Sequence, residues 1–215
     1  MIIPKTRELK IQMPRRTLLA SLNGDGRWGL ALALCLGFVA LLAVGGPEWT
    51  QALRYQRTAI VQGEWWRLLS GHWVHLGWHH LLLDSAGLVL LWALYARELR
   101  PQGWLWVLVC ATASIDAGLW WGDPQVEWYV GISGLLHGAW AAGAAAMGLR
   151  HDRAGGLMLV ILAGKLVLEH RAGAGLVSAA LPVVTAAHVY GALGGVVAVG
   201  SLALAGRLAA ARQPL

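Results

Sequence analysis

The chain has 215 residues, 57% of them hydrophobic and 13% charged, with a mean hydropathy of +0.56 and a formal charge of +6. It is too apolar and too sparsely charged for an ordinary soluble domain, so a bilayer is the expected solvent, and a bundle of about six helices of roughly 20 residues leaves no room for a separate soluble domain. The excess of basic residues gathers at the ends of apolar segments, as membrane topology requires, which argues against a nucleic-acid partner.

Residues 1–27 read as a basic cytoplasmic tail carrying Lys5, Arg7, Lys10, Arg15, Arg16 and Arg27, followed by an uncharged apolar run from Trp28 to Gly46. Small residues follow that run at Ala43 to Gly46, as after a signal peptide. The run is long for a signal, however, so an uncleaved first helix is expected. From Pro47 to Gly77 the longest connection is rich in tryptophan and contains Gly-Glu-Trp-Trp-Arg at 63–67, a composition suited to lying in the membrane interface. Further spans are expected at about 78–96, 103–121, 131–149, 154–169 and 181–206. The fold class is therefore all-α: a polytopic membrane domain of six helices over 28–206, with a short tail at 207–215. With the N-terminus inside, 12 of the 17 basic residues fall on the inner side, Arg97, Arg100, Arg150, Arg153, Arg207 and Arg212 joining the six of the tail. Arg54, Arg57, Arg67 and Arg171 fall outside. This bias predicts N-in, C-in topology in a cytoplasmic (inner) membrane. Cys35 and Cys110 each lie inside an apolar run, which suits packing rather than a disulfide or a catalytic thiol.

Polar groups inside spans are the informative ones, because a charged group there costs about 2.5–3.5 kcal/mol on insertion scales and needs a partner or water. They are Asp84, Asp116, His137, Lys165 and His188. Lys165 and Glu169, four apart on one helical face, read as a structural ion pair, and Asp116 as an interhelical acceptor. His72, His75, His79 and His80 cluster ahead of Asp84, so a metal-dependent enzyme or metal carrier using the His72–Asp84 stretch is an alternative. No His-Glu-x-x-His motif accompanies it, and no metal or other cofactor is expected. The Gly-Asp pairs Gly24-Asp25 and Gly122-Asp123 fall outside the spans, which removes an intramembrane aspartyl site.

Serine chemistry remains. Gly131-Ile132-Ser133-Gly134 opens the fourth span at its outer end, where small neighbours leave a hydroxyl accessible and let backbone N–H groups approach an oxyanion. His188 opens the sixth span at the same depth. Gly134 and Gly138 on one helix and Gly191 and Gly195 on the other, each pair four apart, allow close approach of the two helices. An imidazole within hydrogen-bond reach is what a serine needs to lose its proton during attack. His137, one turn after Ser133, could serve as an alternative base, though a supporting role beside His188 is the expectation.

Four patterns in this order resemble the rhomboid intramembrane proteases: Trp66-Arg67 in the first outer connection, His75-x-x-x-x-His80-x-x-x-Asp84 on the second span, Gly131-Ile132-Ser133-Gly134, and Ala187-His188-x-x-Gly191-x-x-x-Gly195. The resemblance implies a six-helix serine endopeptidase with a Ser133–His188 dyad lacking a third acidic member. It also implies that His80 helps to hold the oxyanion with the Ser133 N–H. Two positions depart from the common pattern, Asp84 standing for an asparagine and His137 for a tyrosine that stacks on the catalytic histidine. Asp84 would then either be protonated and donate a hydrogen bond, or stay ionised and orient a charged His80. Together with Lys165-x-x-x-Glu169 and the compact length, these residues look most like the rhombosortase branch. Its members act on single-span or tail-anchored proteins with a C-terminal Gly-Gly sorting tail. An inactive relative that binds transmembrane helices is a further alternative.

Overall fold

The computed structural model describes residues 27–173 and 183–211. The tail expected over 1–27 lies, apart from Arg27, outside the described residues, as does the start of the span expected from 181. Helix α1 spans Arg27–Val44, and Gly46, at φ +62°, turns the chain by 107° into α2, Gly46–Leu53. A left-handed φ is open to glycine and strained for other residues, so this bend is written into the Gly-Gly-Pro sequence. The connection to the next long helix is folded: α3 at Arg57–Val61 and α4 at Arg67–Ser70 follow in quick succession. The remaining helices are α5 at Gly77–Tyr95, α6 at Pro101–Ala117 with a π-helical turn at Gly118–Gly122, α7 at Ser133–Leu149, α8 at Arg153–Ala172 and α9 at Thr185–Ala211.

The fold is thus mostly helical, with long helices where six spans are expected. Two of them, Pro101–Gly122 and Thr185–Gly206, are long and apolar enough to cross a membrane, or three if the bent Trp28–Val44 and Gly46–Leu53 pair is one span. The others fall short for identifiable reasons. α7 has 17 residues, α5 loses hydropathy to His79, His80 and Asp84, and α8 carries Arg153, Lys165, Glu169 and Arg171. A second difference from the all-α expectation is a small antiparallel pairing of β1, Tyr55–Gln56, with β2, Trp128–Tyr129, in register Tyr55 to Tyr129. Two helix connections meet there, and pairing satisfies backbone groups that no helix can.

The helix α7 sits at the centre, packed on α9, α8, α6 and α5, and it buries Leu135, Leu136, His137, Ala141, Ala142 and Ala144. Its many small residues let neighbouring backbones come close, and this is how helices associate where lipid removes the hydrophobic drive. The exterior is apolar: Leu30, Leu34 and Leu41 on α1, Leu157, Val160 and Leu168 on α8, and Leu193 and Val197 on α9 are exposed. Such a surface suits hydrocarbon rather than water.

Candidate active site

Ser133 is the first residue of α7, so its N–H has no acceptor within the helix. The turn before it is held by two hydrogen bonds. Gly131 has φ +113°, its N–H donates to the Gly71 carbonyl at 3.2 Å, and the Tyr129 hydroxyl donates to its carbonyl at 2.7 Å. A Cβ at Gly131 would come within 2.9 Å of His80 Nε2 and 3.4 Å of Asp84 Oδ2. Glycine is therefore required here both for conformation and for room.

Helices α7 and α9 touch backbone to backbone at two levels. A Cβ at Gly191 would collide with the Gly134 carbonyl, and one at Gly195 with the Gly138 carbonyl. This seam carries Ser133 and His188 together, with His188 Nε2 3.0 Å from Ser133 Oγ. The other ring nitrogen of His188, Nδ1, lies 2.9 Å from Glu169 Oε2 on α8. Glu169 Oε1 receives the Lys165 ammonium at 2.5 Å. Lys165 Nζ also lies 2.9 Å from His137 Nε2, while His137 Nδ1 lies 2.7 Å from the Ser133 carbonyl.

These partners assign the protons. An ammonium can only donate, so His137 Nε2 accepts, and a carbonyl can only accept, so His137 Nδ1 carries the hydrogen. With both nitrogens engaged in this way, His137 is not placed to take the proton of Ser133. Its ring instead stacks on His188, centroids 4.0 Å apart and planes 12° apart. By the same logic His188 Nδ1–H donates to the Glu169 carboxylate, leaving the Nε2 lone pair for the Ser133 hydroxyl. His137, Glu169 and His188 also offer ligand atoms within 4.8 Å of one another, a spacing a metal ion could use. Here the Lys165 ammonium already meets two of the three.

Across a cavity of about 380 Å³ stand His80, Asp84, Leu83 and Gly87 of α5, facing Ser133, His137 and His188. His80 Nδ1 accepts from the Leu76 N–H at 3.3 Å, which places its hydrogen on Nε2, on the side of Gly131. An imidazolium at His80 would forfeit that bond and would face Asp84 as an ionic partner, so the neutral and charged forms of His80 keep different neighbours. Asp84 Oδ2 lies 3.4 Å from His80 Nε2 and 3.2 Å from His75 Nε2, both short of hydrogen-bond geometry. Of the histidines of the 72–84 stretch, His72 Nε2 pairs with Asp116 Oδ1 at 3.1 Å and His79 is exposed, while His75 and His80 stand together on Asp84, ring centroids 5.2 Å apart.

Trp66 and Arg67 lie away from the cavity. Trp66 is exposed, while Arg67 binds Glu64 at 2.6 Å and the carbonyls of Gln51 and Arg54 at 3.0 Å each, holding the outer connection in shape. Sequence reasoning missed Arg57, whose guanidinium caps the carbonyls of Leu119, Trp120 and Val126 at the end of the π-helical turn. It also read Glu169 only as the partner of Lys165, whereas its second oxygen meets His188 Nδ1. The buried residues of α8, Gly155, Leu162 and Glu169, recur every seven positions, which puts the carboxylate on the inward seam.

The family model described as Rhomboid domain matches residues 62–204. The chain is 28% identical over 101 residues to the "Putative rhomboid protease YdcA" of Bacillus subtilis (strain 168), covering 47% of this chain and 51% of that relative. The match thus spans about half the relative's length. No solved structure matches.

Proposed function

The chain belongs to the rhomboid family, and from that premise we propose that it is an intramembrane serine endopeptidase with Ser133 as nucleophile and His188 as general base. One observation carries this reading: the 3.0 Å contact of His188 Nε2 with Ser133 Oγ, with the histidine's other nitrogen already committed to a carboxylate. As Ser133 Oγ bonds to the scissile carbonyl carbon, its proton passes to His188 Nε2 and the carbonyl electron pair becomes an oxyanion. The Ser133 N–H at the helix start and His80 Nε2–H stand on that side and supply the donors. Collapse breaks the C–N bond, His188 returns the proton to the leaving amine, and a second nucleophile releases the acyl group by the reverse steps.

The domain is read as six spans over 28–206, N-in and C-in, in the cytoplasmic (inner) membrane, with the cavity opening toward the outer face. Its substrates are single-span or tail-anchored proteins, and the combination of Asp84, Gly131-x-Ser133-Gly134-x-x-His137-Gly138 and Lys165-x-x-x-Glu169 favours the rhombosortase branch, hence C-terminal Gly-Gly sorting tails. Presence of a paired nucleophile and base argues against an inactive helix-binding relative. Co-expression with a tail-anchored candidate substrate, wild type against Ser133→Ala, tests the proposal. Cleavage by wild type alone is expected, and cleavage retained in Ser133→Ala would overturn it. Mass spectrometry of the new C-terminus distinguishes hydrolysis from transfer to an amine.

A further inference from the structure

Glu169 is 2% exposed and lies among apolar helices, yet both its oxygens face cationic or N–H donors: Lys165 Nζ on Oε1, His188 Nδ1 on Oε2. A carboxylate buried to that degree is held by its partners or not at all. Lys165, part-buried on the same helical face, reaches both Glu169 and His137, two residues that contact the nucleophile or its base. We infer that Glu169 is a positioning residue that extends the Ser133–His188 pair into a Ser–His–Glu triad, and that Lys165 is its built-in counter-cation. The inference rests on the reading of Ser133 and His188 as nucleophile and base.

The chemistry follows from the contacts. Accepting the Nδ1–H, Glu169 holds His188 in the tautomer whose Nε2 is free to take the Ser133 proton, and it faces the imidazolium that forms in the transition state while staying ionised itself. Lys165 fixes Glu169 in place and, through His137 Nε2, fixes the tautomer of the ring stacked on His188. Its ammonium lies against two of the three groups that could ligate a metal ion, so the cluster carries its own cation. A surface salt bridge between residues four apart would need none of these contacts.

The test uses the full chain in detergent or proteoliposomes, with a fluorophosphonate probe whose rate of attachment to Ser133 is measured beside thermal unfolding. Glu169→Gln keeps size but can present its amide to His188, so a fall of about 10⁴-fold is expected without loss of folding, as tautomer loss produces in other serine triads. Glu169→Asp is expected to recover at least tenfold of it. Lys165→Met takes the cation from Glu169 Oε1 and His137 Nε2 and is expected to slow labelling, by less than Glu169→Gln does. Labelling within threefold of wild type in Glu169→Gln overturns the inference. If Glu169→Gln does not fold, ¹⁵N-histidine NMR of the wild type decides: Nδ1–H with a bare Nε2 at His188 is expected, and the opposite tautomer overturns it. Failure of the protease reading shows differently, as equal labelling of wild type and Ser133→Ala.

Discussion

The two walls of the cavity are built on different terms. On the α7–α8–α9 side five groups close a ring of partners: Ser133 with His188, His188 with Glu169, Glu169 with Lys165, Lys165 with His137, and His137 back to the Ser133 carbonyl. On the α5 side Asp84 lines the cavity with its Oδ2 buried and without a hydrogen bond, 3.2 Å from His75 Nε2 and 3.4 Å from His80 Nε2. A buried polar atom left in that state costs about 1–3 kcal/mol, so the α5 wall gains from a ligand that donates to Asp84. On the proposed reading the closed ring of partners prepares Ser133 as nucleophile, and on the α5 wall His80 Nε2–H is the donor that can meet the charge of a reacting carbonyl.

The comparison breaks most completely if the ring is cut at its centre. Ser133→Ala and His188→Ala are each expected to lower processing by up to the order of 10⁶-fold, with the double variant no worse than either, since nucleophile and base act as a unit. Quantitative immunoblots of substrate processing, normalised to membrane-inserted protein, check both. On the α5 wall, His80→Ala removes one oxyanion donor and is expected to cost about 10²–10³-fold in turnover with substrate binding little changed. Equal loss in turnover and binding would place His80 in substrate docking instead. Gly191→Ala pushes a methyl against the Gly134 carbonyl and separates the two helices at the site. A displacement of about 1 Å there is expected to cost about 10²-fold, together with a lower unfolding temperature. His137→Tyr replaces one stacked ring by another and is expected to cost tenfold or less, whereas His188→Tyr abolishes turnover. Smallest of all, Asp84→Asn is expected to stay within about threefold of wild type across neutral pH, because a neutral His80 loses no ionic partner. A larger loss would restore the charged pair of His80 and Asp84.

The difference between the walls also shows what a sequence can carry. The long helices were legible from hydropathy, and Ser133 and His188 from motifs at helix starts, because depth in a bilayer aligns helix ends and glycines four apart mark the seam between them. Glu169 was hidden by its neighbour: an acidic residue four after a lysine reads as a local pair, while its decisive partner is 19 residues on, in the next helix. Arg57 was invisible for a similar reason, since nothing near it in the chain announces carbonyls more than sixty positions away. The state of His80 depended on one backbone N–H, that of Leu76, whose direction is set by the turn into α5 and not by side-chain chemistry.

The central claim is that Ser133 is made nucleophilic by His188. Its most direct measurement is peptide mapping of the purified chain after fluorophosphonate treatment, in wild type, Ser133→Ala and His188→Ala. A single adduct on Ser133 in the wild type, absent from Ser133→Ala and suppressed in His188→Ala, is the expected result. An adduct on Ser133 that forms as fast in His188→Ala as in the wild type would contradict it.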